Sequence, residues 1–171
     1  FLEDFCDIHW WSEFEDYVPT PSALELPALN KSGKPAFLYR DIYRTNYPAD
    51  KVQFAVRVRL NRSGDVPIPA AYGGSFNYGP PYHCHTFDRY VPTAEYLDSN
   101  PEFFSLVGGQ RVGGQTKGQL CLTNEALKPI FLNSLLEYIR QGEEKAKAEG
   151  VPAPRIYDVS QNDNRKYCEC D

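Results

Sequence analysis

Methionine is absent from the 171 residues, tryptophan occurs twice and histidine three times. No apolar stretch approaches the ~18 residues that a membrane-spanning helix needs, so this segment carries no membrane span. Basic residues are not in excess. Eighteen Lys and Arg stand against 23 Asp and Glu, giving a formal charge of −5, and the basic residues are scattered. With a pI near 5.2 there is no electrostatic case for a nucleic-acid partner or an anionic membrane. Phosphate-cradling patterns are missing too. Gly108-Gly109 and Gly113-Gly114 belong to no GxGxxG or GxxxxGK[ST] motif opening a helix. A G-x-S-x-G elbow and an H-E-x-x-H zinc helix are likewise absent. The sequence therefore implies no cofactor.

Cysteine is present but poorly placed for a disulfide framework. Cys6, Cys84, Cys121, Cys168 and Cys170 are odd in number and widely spaced. Cys168 and Cys170 are close enough to begin a metal or disulfide cluster, and the alternative is two reduced thiols in a loop. The segment is expected to be a piece of a longer protein. It opens inside the amphipathic run Phe1-Leu2-Glu3-Asp4-Phe5, shows no signal peptide and stops at Cys168-Glu169-Cys170-Asp171, read as the inside of a cysteine cluster. The lack of a targeting segment thus does not bear on localisation.

Aromatic residues are plentiful: twelve Tyr and ten Phe beside the two Trp. Most of the Phe are expected in a core. Tyr72, Tyr78 and Tyr82 are different, because they lie in a Gly- and Pro-rich stretch that cannot be a core helix. Aromatic faces stack on the apolar faces of sugars while phenolic tips bond hydroxyls.

The pattern along the chain suggests alternating strands and helices. Phe1 to Cys6 reads as the end of a helix and Ile8 to Trp11 as a short strand. Residues 19–35 carry Pro19, Pro21, Pro27 and Pro35, an extended linker and the best candidate domain boundary. Ala36 to Arg40 reads as a strand. Val52, Phe54, Val56, Val58 and Leu60 alternate as in a strand, but a helix is preferred here on architectural grounds. Asn61 to Pro81 is a long loop. Tyr82 to Phe87 reads as a strand with His83 and His85 on one side. Thr93 to Leu97 reads as a short helix. A hairpin is expected around Gly108-Gly109. Gln119 to Thr123 is an apolar strand, and Asn124 opens a helix with Leu127, Ile130, Phe131, Leu135 and Ile139 on one stripe. Arg155 to Val159 is a further strand running into Ser160-Gln161-Asn162-Asp163-Asn164. Strands that each lead through a loop into a helix suggest parallel βα units. Residues 36–171 hold about four such units, where a closed barrel needs roughly 250 residues.

Four groups of segments together carry a resemblance. They are Phe1 to Phe5 with His9-Trp10-Trp11; Pro35 to Arg40; His85-Thr86-Phe87 with Pro101 to Phe104 and Gln119 to Asn124; and Val159 to Asp163 with Cys168-Glu169-Cys170. In this order they resemble the bacterial domain-of-unknown-function 4838 family, which looks like a relative of α-glucuronidases and β-hexosaminidases. The resemblance implies an α/β fold. Residues 1–18 would be the tail of a small α/β domain, 19–35 a linker, and 36–171 the first half of a (β/α)8 TIM-type barrel. Ala36 to Arg40 would be barrel strand one and Arg155 to Ser160 strand four, with the rest of the chain needed to close the barrel. The resemblance also suggests a bacterial periplasmic, cell-surface or secreted location and a further cysteine after Cys-x-Cys. Likeness of fold does not by itself establish a reaction.

Glycoside hydrolysis commonly uses two carboxyl groups, and barrel active sites lie where strands end. Asp163 lies just past an apolar segment and is the first candidate for an acid/base, with Asp158, Glu169 or a residue further along as its partner. The alternative is a hydrogen-bonded turn with its Asn neighbours. Arg40 would fork onto sugar hydroxyls or a uronic carboxylate, or else form a structural salt bridge. His85 suits a hydrogen bond to sugar or a proton shuttle. Asn124, Gln161 and Asn162 offer donors and acceptors to neutral hydroxyls, and Tyr82 offers a ring face. The expected function is glycoside hydrolase-like action on a complex polysaccharide or glycan. A non-catalytic glycan-binding barrel is the alternative, and a metalloprotein built on Cys168 and Cys170 is a third.

Overall fold

The computed structural model describes residues 1–12, 14–23, 25–42, 52–62 and 67–170. The chain divides into two units, Phe1–Phe76 and Asn77–Asp171.

In the first unit, helix α1 (Leu2–Cys6) ends where Asp7 takes a left-handed φ of 52°. Strand β1 (His9–Trp10) then pairs antiparallel with β2 (Asp16–Tyr17). The pairing is reinforced by stacking of Trp11 and His9 on Tyr17, each with centroids 6.2 Å apart. Helix α2 (Val52–Arg57) occupies the segment whose alternation also allowed a strand, and it buries Ala55 completely. Val52, Ala55 and Val56 fall on one face of that helix, and the left-handed Arg59 (φ 63°) follows its end. No helix or strand occurs among the described residues of the Pro-rich stretch 19–35.

Ala36 to Arg40 is not a strand. The side chain of Asn61 explains this, because its Oδ1 accepts from the Arg40 amide and its Nδ2 donates to the Leu38 carbonyl. Side-chain groups thereby take the backbone positions a ladder would use. The long loop contains a 3₁₀ turn over Ala70–Tyr72, closed by Gly73 at φ 97°.

The second unit is built around a core of Tyr90, Val91, Phe103, Phe104, Leu120 and Leu127. Short helices α3 (Phe87–Tyr90) and α4 (Thr93–Tyr96) lead through a 3₁₀ turn (Pro101–Phe103) into strand β3 (Ser105–Val107). Strand β4 (Gln110–Val112) returns antiparallel, pairing Val107 with Gln110. The expected hairpin is therefore present. Gly108 and Gly109 both have positive φ, 57° and 79°, as its two-residue turn requires. Phe104 bridges Leu120 in antiparallel fashion, so Gln119 to Thr123 forms one isolated bridge in place of the expected strand.

Helix α5 (Leu127–Glu149) follows. Ile130, Phe131, Leu135 and Tyr138 lay its apolar stripe on the core. Phe131 packs at 4.7 Å on Tyr90 and edge-on at 5.7 Å to Phe87. The helix stops at Gly150, whose φ of 67° suits a residue without Cβ.

Residues 155–160 form no strand. They are pinned beside residues 79–87 by hydrogen bonds from Gly79 N to Ile156 O (2.8 Å) and from Thr86 N to Ser160 O (3.0 Å). These contacts advance in the same direction along both segments, as in a parallel pair. A regular ladder is absent because side chains occupy its places. Tyr90 Oη donates to Asp158 O at 2.7 Å, and Thr86 Oγ1 accepts from Ser160 N at 3.1 Å. Tyr82 to Phe87 is not the expected strand either, since His85 turns left-handed (φ 53°) and α3 begins at Phe87. The i, i+2 rule for His83 and His85 therefore does not apply. Among the described residues the named strands make two two-stranded antiparallel sheets and no closed barrel.

Candidate functional site

The segment Asp158 to Cys170 gathers most of the polar chemistry of the second unit, and the core elements hold it at three points. The first is Thr86, fully buried, whose hydroxyl lies 3.1 Å from Asp158 O and 3.0 Å from Asp158 Oδ2. Ser160 Oγ donates to the same carboxylate oxygen. Asp158 is thus committed to the protein. Burial, followed by the Asp158 charge, pushes the neighbouring Tyr90 phenol up to about 12.

The second point is Asn162, 1% exposed. Its backbone exchanges a pair of hydrogen bonds with the Gln119 side chain, both 2.9 Å. Its own Nδ2 donates to Gly118 O and its Oδ1 accepts from Asp88 N, each at 3.0 Å. Asn162 was expected among the sugar-binding residues, but its amide is engaged by protein at both ends. Asn164 Nδ2 adds donations to Gln115 O and Gly118 O. With Asn162 fixed, the adjacent Asp163 points outward with its side chain 80% exposed.

His85 meets Asp163 there. Its amide donates to Ser160 Oγ at 2.8 Å, and its carbonyl accepts from Gln115 Nε2 at 2.6 Å. The ring Nδ1 lies 3.0 Å from Gln161 O. A carbonyl only accepts, so Nδ1 carries the proton. That leaves Nε2 facing Asp163 Oδ1 at 3.9 Å, too far for a direct hydrogen bond but a separation that one bridging water can serve. The structure therefore brings together His85, Gln161 and Asp163.

The remaining expected residues are placed differently. Tyr82 is 49% exposed, leans on His83 at 4.2 Å and has the Arg89 guanidinium 5.5 Å over its ring. Asn124 forms a side-chain turn just before α5, with Oδ1 accepting from Ala126 N and Leu127 N and Nδ2 donating to Glu102 O. Arg40 belongs to the first unit, where its guanidinium donates to Arg59 O and Phe37 O. It lines a cleft of about 370 Å³ with Arg59, Asn61, Tyr72 and Phe76.

The third point of attachment is a group of thiols. Cys121, Cys168 and Cys170 have their sulfurs within 4.8 Å of one another. Cys168 and Cys170 are 3.1 Å apart, and Cys121 and Cys170 are 3.4 Å apart. The Leu106 amide donates to Cys168 Sγ at 3.3 Å and Arg111 Nη1 at 3.6 Å. Burial pushes the Cys121 thiol up, but contacts from Thr123, Cys170, Cys168 and Arg111 outweigh it and bring the group down to about 7. Cys170 is raised, first by Cys168 and then by Cys121. Sequence reasoning found Cys168 and Cys170 but missed Cys121 and Arg111. The available signal was the position of Cys121 inside the apolar segment that returns along Phe104.

Residues 10–171 match the family model described as Domain of unknown function (DUF4838). The chain belongs to that family. No curated protein and no solved structure matches it. Within this DUF4838 chain the match spans both the His85–Asp163 pair and the thiol group. No helix among the described residues is long and apolar enough to cross a membrane.

Proposed function

We propose that this DUF4838 chain is the sugar-handling part of a glycoside hydrolase-like (β/α)8 barrel, with Asp163 as acid/base and His85 as the group sharing its proton. The observation that carries the reading is the open His85–Asp163 pair, 3.9 Å apart, just beyond an extended segment held in parallel sense beside residues 79–87. A carboxyl that protonates a glycosidic oxygen must reach solvent-borne substrate and exchange its proton. Asp163 meets the first condition, and His85, fixed by Gln161 O, meets the second. The exposed ring of Tyr82 and the amide of Gln161 supply stacking and hydroxyl contacts of the kind a polysaccharide needs.

One observation favours the non-catalytic reading as a second possibility. Asp158 is tied to Ser160 and Thr86, and Glu169 Oε2 accepts from Gly108 N. Both carboxylates thus already accept from protein donors, and a binding protein needs no acid pair of the kind hydrolysis requires. The intact protein, screened on a glycan library for new reducing ends, tests both readings. Release that falls at least about a hundredfold in Asp163→Asn, in line with loss of a general acid, supports the catalytic role. Release undiminished by that change removes it. Binding without release moves the reading to a glycan-binding barrel.

A further inference from the structure

We propose that Cys121, Cys168 and Cys170 bind a thiophilic divalent ion, zinc by preference, that staples the end of the Asp163-bearing segment onto the Cys121 segment. Three sulfurs in mutual contact cannot be paired off by one disulfide, and Cys121, Cys168 and Cys170 all carry free thiols. Zinc holds sulfur at about 2.3 Å in tetrahedral geometry, which sets neighbouring sulfurs about 3.8 Å apart. The observed separations of 3.1 and 3.4 Å, with all three sulfurs inside 4.8 Å, are close to that spacing.

A second observation is the set of donors around Cys168. Metal-bound thiolates are supported by donors outside the ligand set, and here the Leu106 amide and the Arg111 guanidinium both point at Cys168 Sγ. Three thiolates and a divalent ion sum to one negative charge, which Arg111 offsets. The Thr123 hydroxyl lies 3.4 Å from Cys121 Sγ and 3.9 Å from Cys170 Sγ. It is therefore placed to hold a water at the fourth position. The ion would join residues 49 positions apart and lock the contacts that already attach this segment. Those are Glu169 N to Leu106 O and Gly108 N to Glu169 Oε2, each 2.8 Å. The proposal does not depend on the sugar-handling reading.

The test uses the intact protein, purified under reducing conditions, stripped with a chelator and titrated with Zn²⁺ alone, then with Co²⁺. One equivalent bound per site is expected, with thiolate-to-cobalt charge-transfer absorption and the visible bands of a tetrahedral ion. Cys121→Ser, Cys168→Ser and Cys170→Ser should each lose the equivalent, while Cys84→Ser keeps it. Should the serine variants fail to fold, alkylation of the unaltered protein decides: Zn²⁺ should protect Cys121, Cys168 and Cys170 together. The proposal is overturned by the absence of a stoichiometric ion, by full retention in Cys121→Ser, by equal alkylation with and without Zn²⁺, or by a native disulfide within the trio.

Discussion

A side-chain amide shut off from water must find protein partners for both of its ends. Asn162 does so, and in doing so it fixes the chain immediately before the exposed Asp163. Removing the amide has unequal consequences for its two partners. Gly118 O keeps a donor in Asn164 Nδ2, whereas Asp88 N loses its acceptor. Asn162→Ala should therefore cost about 1–3 kcal/mol, the penalty of one orphaned buried donor. Asn162→Asp should cost more although its shape is closer, because a carboxylate oxygen would then face the Gly118 carbonyl in a buried site. Urea unfolding of the two variants measures the order. An aspartate variant as stable as the parent would show that Asn162 does not act as the hub described.

Helix α5 shows how element-scale packing overrides intrinsic preference. Glycine in a helix interior is about 1 kcal/mol worse than alanine, so Gly142→Ala should stabilise an isolated helix. Here a Cβ at 142 would stand 2.7 Å from Tyr157 Oη and 3.0 Å from Pro80 Cδ. Overpacking of this kind costs typically about 1–3 kcal/mol, so Gly142→Ala should destabilise by roughly 1–2 kcal/mol. Removing the Tyr157 hydroxyl in Tyr157→Phe should recover most of that loss, a coupling that thermal unfolding of the four-variant cycle reads directly. Additive effects would refute the contact.

The same helix was legible in the sequence because its apolar period, the Asn124 turn before it and its Gly150 stop all agree. The Gly108-Gly109 hairpin was legible for a similar reason, since a local turn requirement settles it. The segments expected as strands at 36–40, 82–87 and 155–160 were not, because Asn61, Thr86 and Tyr90 take their backbone partners from 21, 74 and 68 positions away. No local pattern encodes such long-range side-chain bonds. For the same reason the sequence pointed to Asp163, His85 and the Cys-x-Cys pair but hid Cys121, whose meeting with Cys170 depends on where Phe104 bridges Leu120.

At the scale of the whole molecule, the barrel proposal implies that apolar surface on α5 outside the core stripe is covered by neighbouring elements. Leu132 and Leu136 are such residues, one turn apart and 52% and 54% exposed, while Leu127, Ile130, Phe131 and Leu135 face the core. The apolar arc of the helix is thus wider than this core can bury. Each leucine contributes about 1.5–3 kcal/mol when fully buried, enough to drive copies of the 171-residue chain together when nothing else covers the pair. Leu132→Glu with Leu136→Lys places an ion pair in the favourable i, i+4 order, and both residues suit a helix, so α5 should persist. The double variant of this chain should run as a monomer in sedimentation at concentrations where the parent self-associates. Its helical content should be unchanged by circular dichroism. A parent chain that is monomeric throughout, or a variant that associates equally, would place the source of any association elsewhere and remove this support for a covering neighbour.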